Sequence, residues 1–357
     1  MNIELLSYKT RLISIVLILA YAFIHTQLTG LYSELTLQNL ADFSVRLPYA
    51  QRLLVPALVN WLSHVLPLGL EELFFLMELL FISGFYWALK NLLQQEFPLR
   101  QAQCLSWLFI LLLPLITVIN YRFRMNGLAT FYYPSDTASL FFMALGYLFC
   151  LRAQWNYLIP LIFLATLNRE SSILLVLIIP ALHWQNLKII FKPFCRSLLA
   201  YLLARAFTFW FLQGLTGQWV EWSAAGASHS HFIFNILWLL MGQNFLLFVY
   251  CVAGLPLFWF AFYDFIPLRY RPLRYVTLAY FLSLLLVGRF MEARIFCEIV
   301  VLLYLPVCIA LRNWLNTEQP IYSKDINLIY YIDRYAVLGF LLATLVLHQL
   351  IYHLILY

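Results

Sequence analysis

The stretch LISIVLILAYAFI, residues 12–24, decides the fold class of this chain. Ser14 and Tyr21 are its only side chains with a polar atom, and similar runs recur, such as LFILLLPLITVI at 108–119. These runs approach the ~20 apolar residues that a helix needs to span a bilayer, and they lack the alternation typical of membrane β-barrels. The sequence therefore predicts an all-α polytopic integral membrane protein.

The composition supports the same class. The chain is 64% hydrophobic and 11% charged, whereas a soluble domain carries about 25% charged residues. No repeat, low-complexity tract or soluble domain stands out, so we expect one transmembrane domain over 1–357. The net charge of +6 fits basic loops on one membrane side and does not indicate nucleic acid. The six cysteines lie in or beside apolar runs without paired spacing, which favours packing over disulfides or metal binding.

Hydropathy predicts about eleven crossings, and residues 53–70 remain ambiguous between a crossing and a half-buried helix. The predicted crossings are 11–31, 73–92, 105–120, 137–151, 155–167, 171–184, 197–213, 232–262, 273–290, 295–311 and 335–355. If 53–70 does not cross, fourteen basic residues, including all five lysines, fall on one side and seven arginines on the other. The positive-inside rule then predicts a cytoplasmic N-terminus and an outside C-terminus, with a bacterial inner membrane as the expected location.

The polar clusters fall on the predicted outer side. The NRES turn at 168–171 places Arg169 and Glu170 between two short apolar runs, where ionisable groups are costly unless they face protein or water. Either the two charges neutralise neighbouring helices, or Arg169 binds an anion in an outward-facing cavity with Glu170 beside it. Ser171 and Ser172 are candidates to cap the next helix.

Three further sets of charged residues are candidates for the same face. Arg289 with Glu292, and Arg294 with Glu298, have spacings that allow each pair to share a helix face, and these arginines could also reach a phosphate. Arg122 and Arg124 form a possible phosphate clamp or an interfacial anchor, just before a helix start at Pro134–Asp136. Asp136 is expected there as a helix cap or as a reactive acid. Glu34 and Asp42 flank a short amphipathic segment expected to lie on the membrane, either as solvated carboxylates or as acids facing a substrate.

Motifs for other chemistry are weak. His229 and His231 form an H-x-H pair without a third ligand, so no metal site is predicted beyond a weak possibility of a divalent ion. The sequence contains no nucleotide-binding glycine loop and no common protease motif.

Three stretches together resemble the GT-C superfamily of membrane glycosyltransferases, which take sugars from polyprenyl-phosphate carriers. LADF followed by PYAQRLLVPAL, at 40–58, resembles the first-loop-to-helix passage of that family. YYPSDTASLFFMALGYLF, at 132–149, resembles its later helix that starts on an aspartate. ATLNRESSILLVLIIPAL, at 165–182, resembles an asparagine–arginine–glutamate turn of mannosyltransferase-like members. The resemblance covers about residues 10–310.

The resemblance implies a fold with broken helices and a membrane-lying first outer loop, and an inverting sugar transfer from a polyprenyl-phosphate-linked donor at the outer membrane face. Asp42 would act as the general base, with Glu34 or Asp136 as alternates. The donor phosphate would be held by one or more arginines: Arg122, Arg124, Arg169, Arg289 and Arg294. Membrane lipid and the donor are the expected partners. A transporter or lipid flippase is the first alternative, because helices broken at mid-depth are typical of transporters. A non-catalytic scaffold subunit is the second.

Overall fold

The computed structural model describes residues 3–30, 35–119, 131–222, 230–240 and 242–322, together with 328, 330–332, 334 and 335. In this part of the chain the backbone is helical apart from turns, loops and two isolated bridges. The described helices fall into two compact units, the first ending at Trp219 and the second beginning at Val220. The expectation of one domain over 1–357 stays a prediction.

Nine α-helices lie among the described residues of the first unit. They are α1 (Ile3–Gln27), α2 (Leu37–Ala41), α3 (Leu54–Ser63), α4 (Leu70–Leu93), α5 (Leu99–Thr117), α6 (Ser135–Leu151), α7 (Trp155–Asn168), α8 (Ile173–Leu182) and α9 (Leu187–Phe211). The second unit contributes α10 (His231–Leu240), α11 (Gly242–Cys251), α12 (Leu255–Ala261), α13 (Leu273–Val287) and α14 (Cys297–Leu315) among the described residues.

Among the described residues, four helical segments are long and apolar enough to cross a membrane. They are Tyr8–Gln27, Leu70–Leu93, Leu99–Thr117 and Ala293–Leu315. A fifth arises if Glu170–Leu182 and Trp184–Phe211, which meet at a bend of 73°, act as one span. An all-helical protein of membrane type is therefore supported in the described part of the chain, whereas the count of about eleven crossings stays a prediction.

Two segments need comment: the helix in the ambiguous stretch 53–70 is too short to cross, and the predicted crossing 232–262 is divided. The ambiguous stretch 53–70 contains only the ten-residue α3, about 15 Å long at 1.5 Å per residue, which is half of a bilayer core. The predicted crossing 232–262 is not one helix, because α11 ends at Cys251 and α12 begins at Leu255. Ala253 and Gly254 adopt φ of 54° and 65° there, which a continuing α-helix does not allow. The predicted crossing 335–355 lies, beyond its first residue, outside the described residues.

Hydrogen bonds fix the directions of the helices in the first unit. Ser14 Oγ lies 2.8 Å from Tyr86 Oη, and His25 Nδ1 lies 2.9 Å from Glu78 Oε1, so α1 and α4 run antiparallel. Thr137 near the start of α6 bonds to Glu78, so that α6 begins beside the first third of α4.

The two ends of the first unit consequently differ in chemistry. Arg152 Nε donates to Gln95 Oε1 over 3.3 Å, which brings the end of α6 to the end of α4, where Lys90 also lies. The opposite end gathers the start of α6 and the end of α7, because Asn168 Nδ2 donates to the Ser135 carbonyl over 3.0 Å. We call this opposite end the polar end, and it carries the candidate site.

Candidate functional site

The segment Tyr132–Thr137 organises the polar end. The segment ends in the first turn of α6. Four of its six side chains contact a charged or aromatic side chain elsewhere in the first unit: Tyr132, Tyr133, Asp136 and Thr137. The backbone N–H of Tyr132 donates to the Gly30 carbonyl over 2.8 Å, which attaches the segment to the end of α1. A predicted helix start is therefore the meeting point of three polar clusters.

A buried ion pair forms the first cluster. Arg169 Nη1 lies 3.2 Å from Asp136 Oδ1, and the exposed fractions of the two side chains are 6% and 0%. Asn168, next to the arginine, also donates to Ser139 Oγ over 2.9 Å. Paired and hydrogen-bonded charges are the form in which ionisable groups are tolerated in a buried, apolar environment. The NRES turn is thereby locked onto the start of α6.

The structure bears on the expected roles of two residues near this cluster. Asp136 lies in the first turn of α6, as expected, and its carboxylate also pairs with Arg169. Ser172 does not cap α8, because its Oγ lies 2.8 Å from Thr166 Oγ1. The hydroxyl groups of Thr166 and Ser172 are both buried, and each takes the other as its hydrogen-bond partner. The backbone before α8 already forms a helical turn, so the Ser172 side chain is not used as a cap.

The second cluster contains His25, Glu78 and Thr137, which the sequence interpretation overlooked. Glu78 Oε1 accepts from Thr137 Oγ1 over 2.5 Å and lies 2.9 Å from His25 Nδ1. The His25 and Glu78 side chains are 0% and 1% exposed. The available signal was the position of Glu78, eight residues or about 12 Å into an otherwise apolar α4, since ionisable residues within such helices are functional candidates.

Tyr132 extends this second cluster. Its ring packs edge-on against His25, with 5.2 Å between ring centroids. Burial, followed by the nearby Glu78 carboxylate, raises the pKa of Tyr132 well above its ordinary value. The phenol therefore keeps its proton and can act only as a neutral hydrogen-bonding group beside the carboxylate.

The third cluster is cationic and acts on the exposed Glu170. The positive charges of Arg52, Arg169 and Arg205 all act on the Glu170 carboxylate. Arg205 Nη2 donates to Gln51 Oε1 over 2.6 Å, and Gln51 Nε2 donates to the Trp219 carbonyl over 2.8 Å. The cluster thus joins the segment before α3 to α9 and to the loop that follows α9.

Ring stacking and an unused donor characterise the two additional arginines. The Arg52 guanidinium lies 4.8 Å from the Tyr133 ring centroid, and that of Arg205 lies 4.9 Å from the Phe209 ring centroid. Arg205 Nη1 is buried and has no hydrogen-bond acceptor among the described residues. A buried guanidinium donor of this kind favours an anionic oxygen as its partner. Neither arginine was a predicted site residue. Arg205 lies within the predicted crossing 197–213, and Arg52 lies in the first loop.

Asp42 lies at the same end of the unit. It follows α2 directly, its side chain is exposed, and its Oδ2 accepts from Gln38 Nε2 over 2.6 Å. The next residue, Phe43, packs edge-on against Phe211 at the end of α9, with 5.4 Å between ring centroids. The expected short helix in the first loop is therefore present, and an accessible carboxylate stands at its end. Its alternate, Glu34, lies outside the described residues.

The remaining predicted site residues do not join these clusters. Arg122 and Arg124 lie outside the described residues. In the second unit, Arg289 and Glu292 do not share a helix face, because they occupy a non-helical turn in which the Glu292 N–H donates to the Arg289 carbonyl. Glu292 pairs instead with Arg294, at 2.5 Å. The prediction of a helical Arg289–Glu292 pair is wrong because Gly288 ends α13 before the turn.

Metal ligands are not grouped in the described part of the chain. No set of three or more histidine, cysteine, aspartate or glutamate side chains there could hold a metal ion. His229 of the H-x-H pair lies outside the described residues, while His231 is buried at the start of α10.

Comparison with family models, curated proteins and solved structures gives no match for this chain.

Proposed function

We propose that this chain is a membrane glycosyltransferase of GT-C type, which transfers a sugar from a polyprenyl-phosphate-linked donor. The observation that carries the proposal is the third cluster: the charges of three arginines act on one carboxylate, and the buried Arg205 Nη1 lacks an acceptor in the described residues. It lies at one end of a bundle of apolar helices, where a substrate with a charged head and a lipid tail can reach it. The resemblance of the sequence to GT-C proteins supports the same assignment.

The proposed reaction requires one base and one cationic site. The acceptor hydroxyl loses its proton to the Asp42 carboxylate as its oxygen forms a bond to the anomeric carbon. The bond between that carbon and the phosphate oxygen breaks, and the electron pair leaves with polyprenyl phosphate. Arginine suits the leaving phosphate because it stays charged in a partly dry site and presents a planar fork of donors.

The phosphate role is assigned to Arg52 and Arg205 first. Arg169, the arginine that the sequence favoured, has Asp136 as a buried partner, so part of its charge is already balanced. Arg52 and Arg205 are held by rings and by Gln51, and the buried Arg205 Nη1 has no acceptor among the described residues. Asp136 is completely buried, which makes Asp42 the better candidate for a base. Arg169 remains a predicted neighbour of the phosphate, with Glu170 beside it.

The test uses the purified full-length chain in proteoliposomes with radiolabelled polyprenyl-phosphate hexoses, and membrane extract as the acceptor source. We expect wild type to release polyprenyl phosphate, Arg205→Gln to lose about 100-fold in rate, and Asp42→Asn to lose 100-fold or more. Glu71→Gln is the matched control, because Glu71 is an exposed carboxylate at the start of α4. Unchanged product from both Asp42→Asn and Arg205→Gln would refute the proposal.

A transporter is the second candidate, and the His25–Glu78 cluster favours it. Buried chains of carboxylate and histidine mark proton pathways in pumps and transporters. The bend of 73° between Glu170–Leu182 and Trp184–Phe211 is also a feature of broken transporter helices. This candidate predicts proton-dependent movement of intact lipid-linked sugar across vesicles, without release of polyprenyl phosphate, and loss of that movement in Glu78→Gln.

A further inference from the structure

The start of α9, together with the turn before it, projects from the helices of the first unit. In the range Trp184 to Arg196, Ile190 is the single buried residue. His183 Nε2, just before this range, lies 3.0 Å from the Cys150 carbonyl oxygen at the end of α6. The range therefore begins at the end of the first unit opposite the polar end. We call residues 184–196 the projecting segment.

Three basic side chains form a stripe along the projecting segment. Lys188, Lys192 and Arg196 are exposed and are separated by four residues, so they lie on successive turns of α9. At about 100° per residue the three positions span about 80°, and the centre of the stripe lies about 160° around the helix from Ile190. The stripe therefore lies on the side of α9 that faces away from the helices that bury Ile190.

The stripe has no carboxylate partner within the described part of the chain. The sequence contains no aspartate or glutamate between Glu170 and Glu221, so α9 itself carries no acid. None of the described ion pairs involves a member of the stripe, and this holds also for Glu96, which lies after α4 at the same end of the first unit. The three charges are therefore available to an anionic partner, and salt will screen that attraction.

Large apolar side chains flank the stripe. Leu187, Ile189 and Phe191 are 55%, 74% and 67% exposed, and Trp184 in the preceding turn is 52% exposed. A contiguous set of exposed apolar side chains of this size marks a surface that another apolar phase covers. A helix that combines basic residues with large apolar and aromatic neighbours is typical of segments at the boundary between membrane and water.

The chemistry of the projecting segment selects a lipid as its partner. An anionic phospholipid supplies a phosphate for the stripe and acyl chains for the apolar flanks, whereas an acidic protein loop supplies only the anion. The predicted topology also places Lys188 and Lys192 on the cytoplasmic side, where the membrane surface is negatively charged. Each exposed feature of the segment thus has a counterpart in one kind of molecule.

We propose that the projecting segment lies in the boundary between membrane and water and binds the headgroups of anionic phospholipids through Lys188, Lys192 and Arg196. The lipid phosphates meet the stripe, and the acyl chains cover Leu187 and Phe191. The inference does not rest on the proposed sugar transfer, because the segment begins opposite the polar end and the lipid is not consumed.

The test is native mass spectrometry of the detergent-purified full-length chain, titrated with phosphatidylglycerol or phosphatidylcholine. We expect wild type to bind the first phosphatidylglycerol at least about tenfold more tightly than phosphatidylcholine. Lys188→Gln and Lys192→Gln should each weaken phosphatidylglycerol binding about fivefold, which is the factor expected for one basic residue at a lipid surface, and together about 25-fold. Lys192→Arg should stay within about twofold of wild type, because the charge is kept.

Two controls make the test decisive. Arg100→Gln removes an exposed charge from α5, outside the projecting segment, and should change the first binding event less than about twofold. Excess glycerol phosphate, which lacks acyl chains, should leave bound phosphatidylglycerol in place. The proposal is overturned if the two lipids bind equally, if Arg100→Gln costs as much as Lys192→Gln, or if glycerol phosphate displaces the lipid. A dimer or a copurified acidic protein that is lost in Lys192→Gln would also overturn it, because protein would then cover the segment. Lys188 and Lys192 are exposed, so their replacement leaves the fold intact, which unchanged circular dichroism will check.

Discussion

The Asp136–Arg169 ion pair should dominate the stability of the polar end. At 3.2 Å, and with an effective dielectric constant of about 20, two unit charges attract each other by about 5 kcal/mol. The pair is buried, so removing one partner leaves an uncompensated charge, which costs about 3–5 kcal/mol rather than the 0.2–1 kcal/mol of a surface pair. We therefore expect Asp136→Asn and Arg169→Gln each to lower the free energy of unfolding by about 3–5 kcal/mol.

The double variant separates the pair from its surroundings. Two neutral amides leave no buried charge, so Asp136→Asn with Arg169→Gln should cost about 2–3 kcal/mol less than the sum of the single changes. The assay is unfolding of the purified chain by SDS in dodecylmaltoside micelles, followed by circular dichroism. Glu71→Gln, the exposed carboxylate control, should shift the free energy by less than about 0.5 kcal/mol. Additive single costs, or single costs below about 1 kcal/mol, would refute the reasoning.

Three further predictions concern backbone and topology. Gly217→Ala should destabilise the chain by about 1–3 kcal/mol in the same unfolding assay, because φ is +114° and the new Cβ would lie 2.5 Å from the Leu47 carbonyl oxygen; an unchanged midpoint would contradict this. Asn235→Ala should cost about 1–3 kcal/mol, because the buried amide donates to the Gly288 carbonyl over 2.7 Å and accepts from the Phe290 N–H over 3.0 Å; a cost within error would show that water replaces it. Lys90→Cys and Gln218→Cys, made with the two exposed native cysteines replaced, should react with impermeant maleimide from opposite sides of intact vesicles, and same-side labelling would overturn the predicted topology.

The sequence was informative where a property is local. The NRES turn was predicted between two short helices, and α7 ends at Asn168 while α8 begins at Ile173. The partner of Arg169 was not predicted, because Asp136 is 33 residues away and the contact depends on how α6 and α7 pack. Arg205 was not a predicted site residue, because its contact with Gln51 spans 154 residues. Pairings of this kind carry no signal in spacing or hydropathy.

Other differences could have been anticipated. Glu78 is a charged residue well inside an apolar helix, which is a recognised sign of a buried polar contact, and only its partner His25 required the packing of α1 on α4. The break in 232–262 occurs at Ala253–Gly254, where a glycine permits positive φ. The sequence is apolar on both sides of this break, so hydropathy gave no sign of it. Hydropathy therefore located apolar segments reliably and gave little information on where long ones divide.

The most direct test of the proposed sugar transfer is the fate of a donor labelled in its sugar. Purified chain in proteoliposomes should convert polyprenyl-phosphate-linked hexose into a new covalent glycoside, with one polyprenyl phosphate released for each sugar transferred. Recovery of the donor intact, whether bound or moved across the vesicle, with no polyprenyl phosphate formed in the presence of membrane extract, would contradict the account and favour transport.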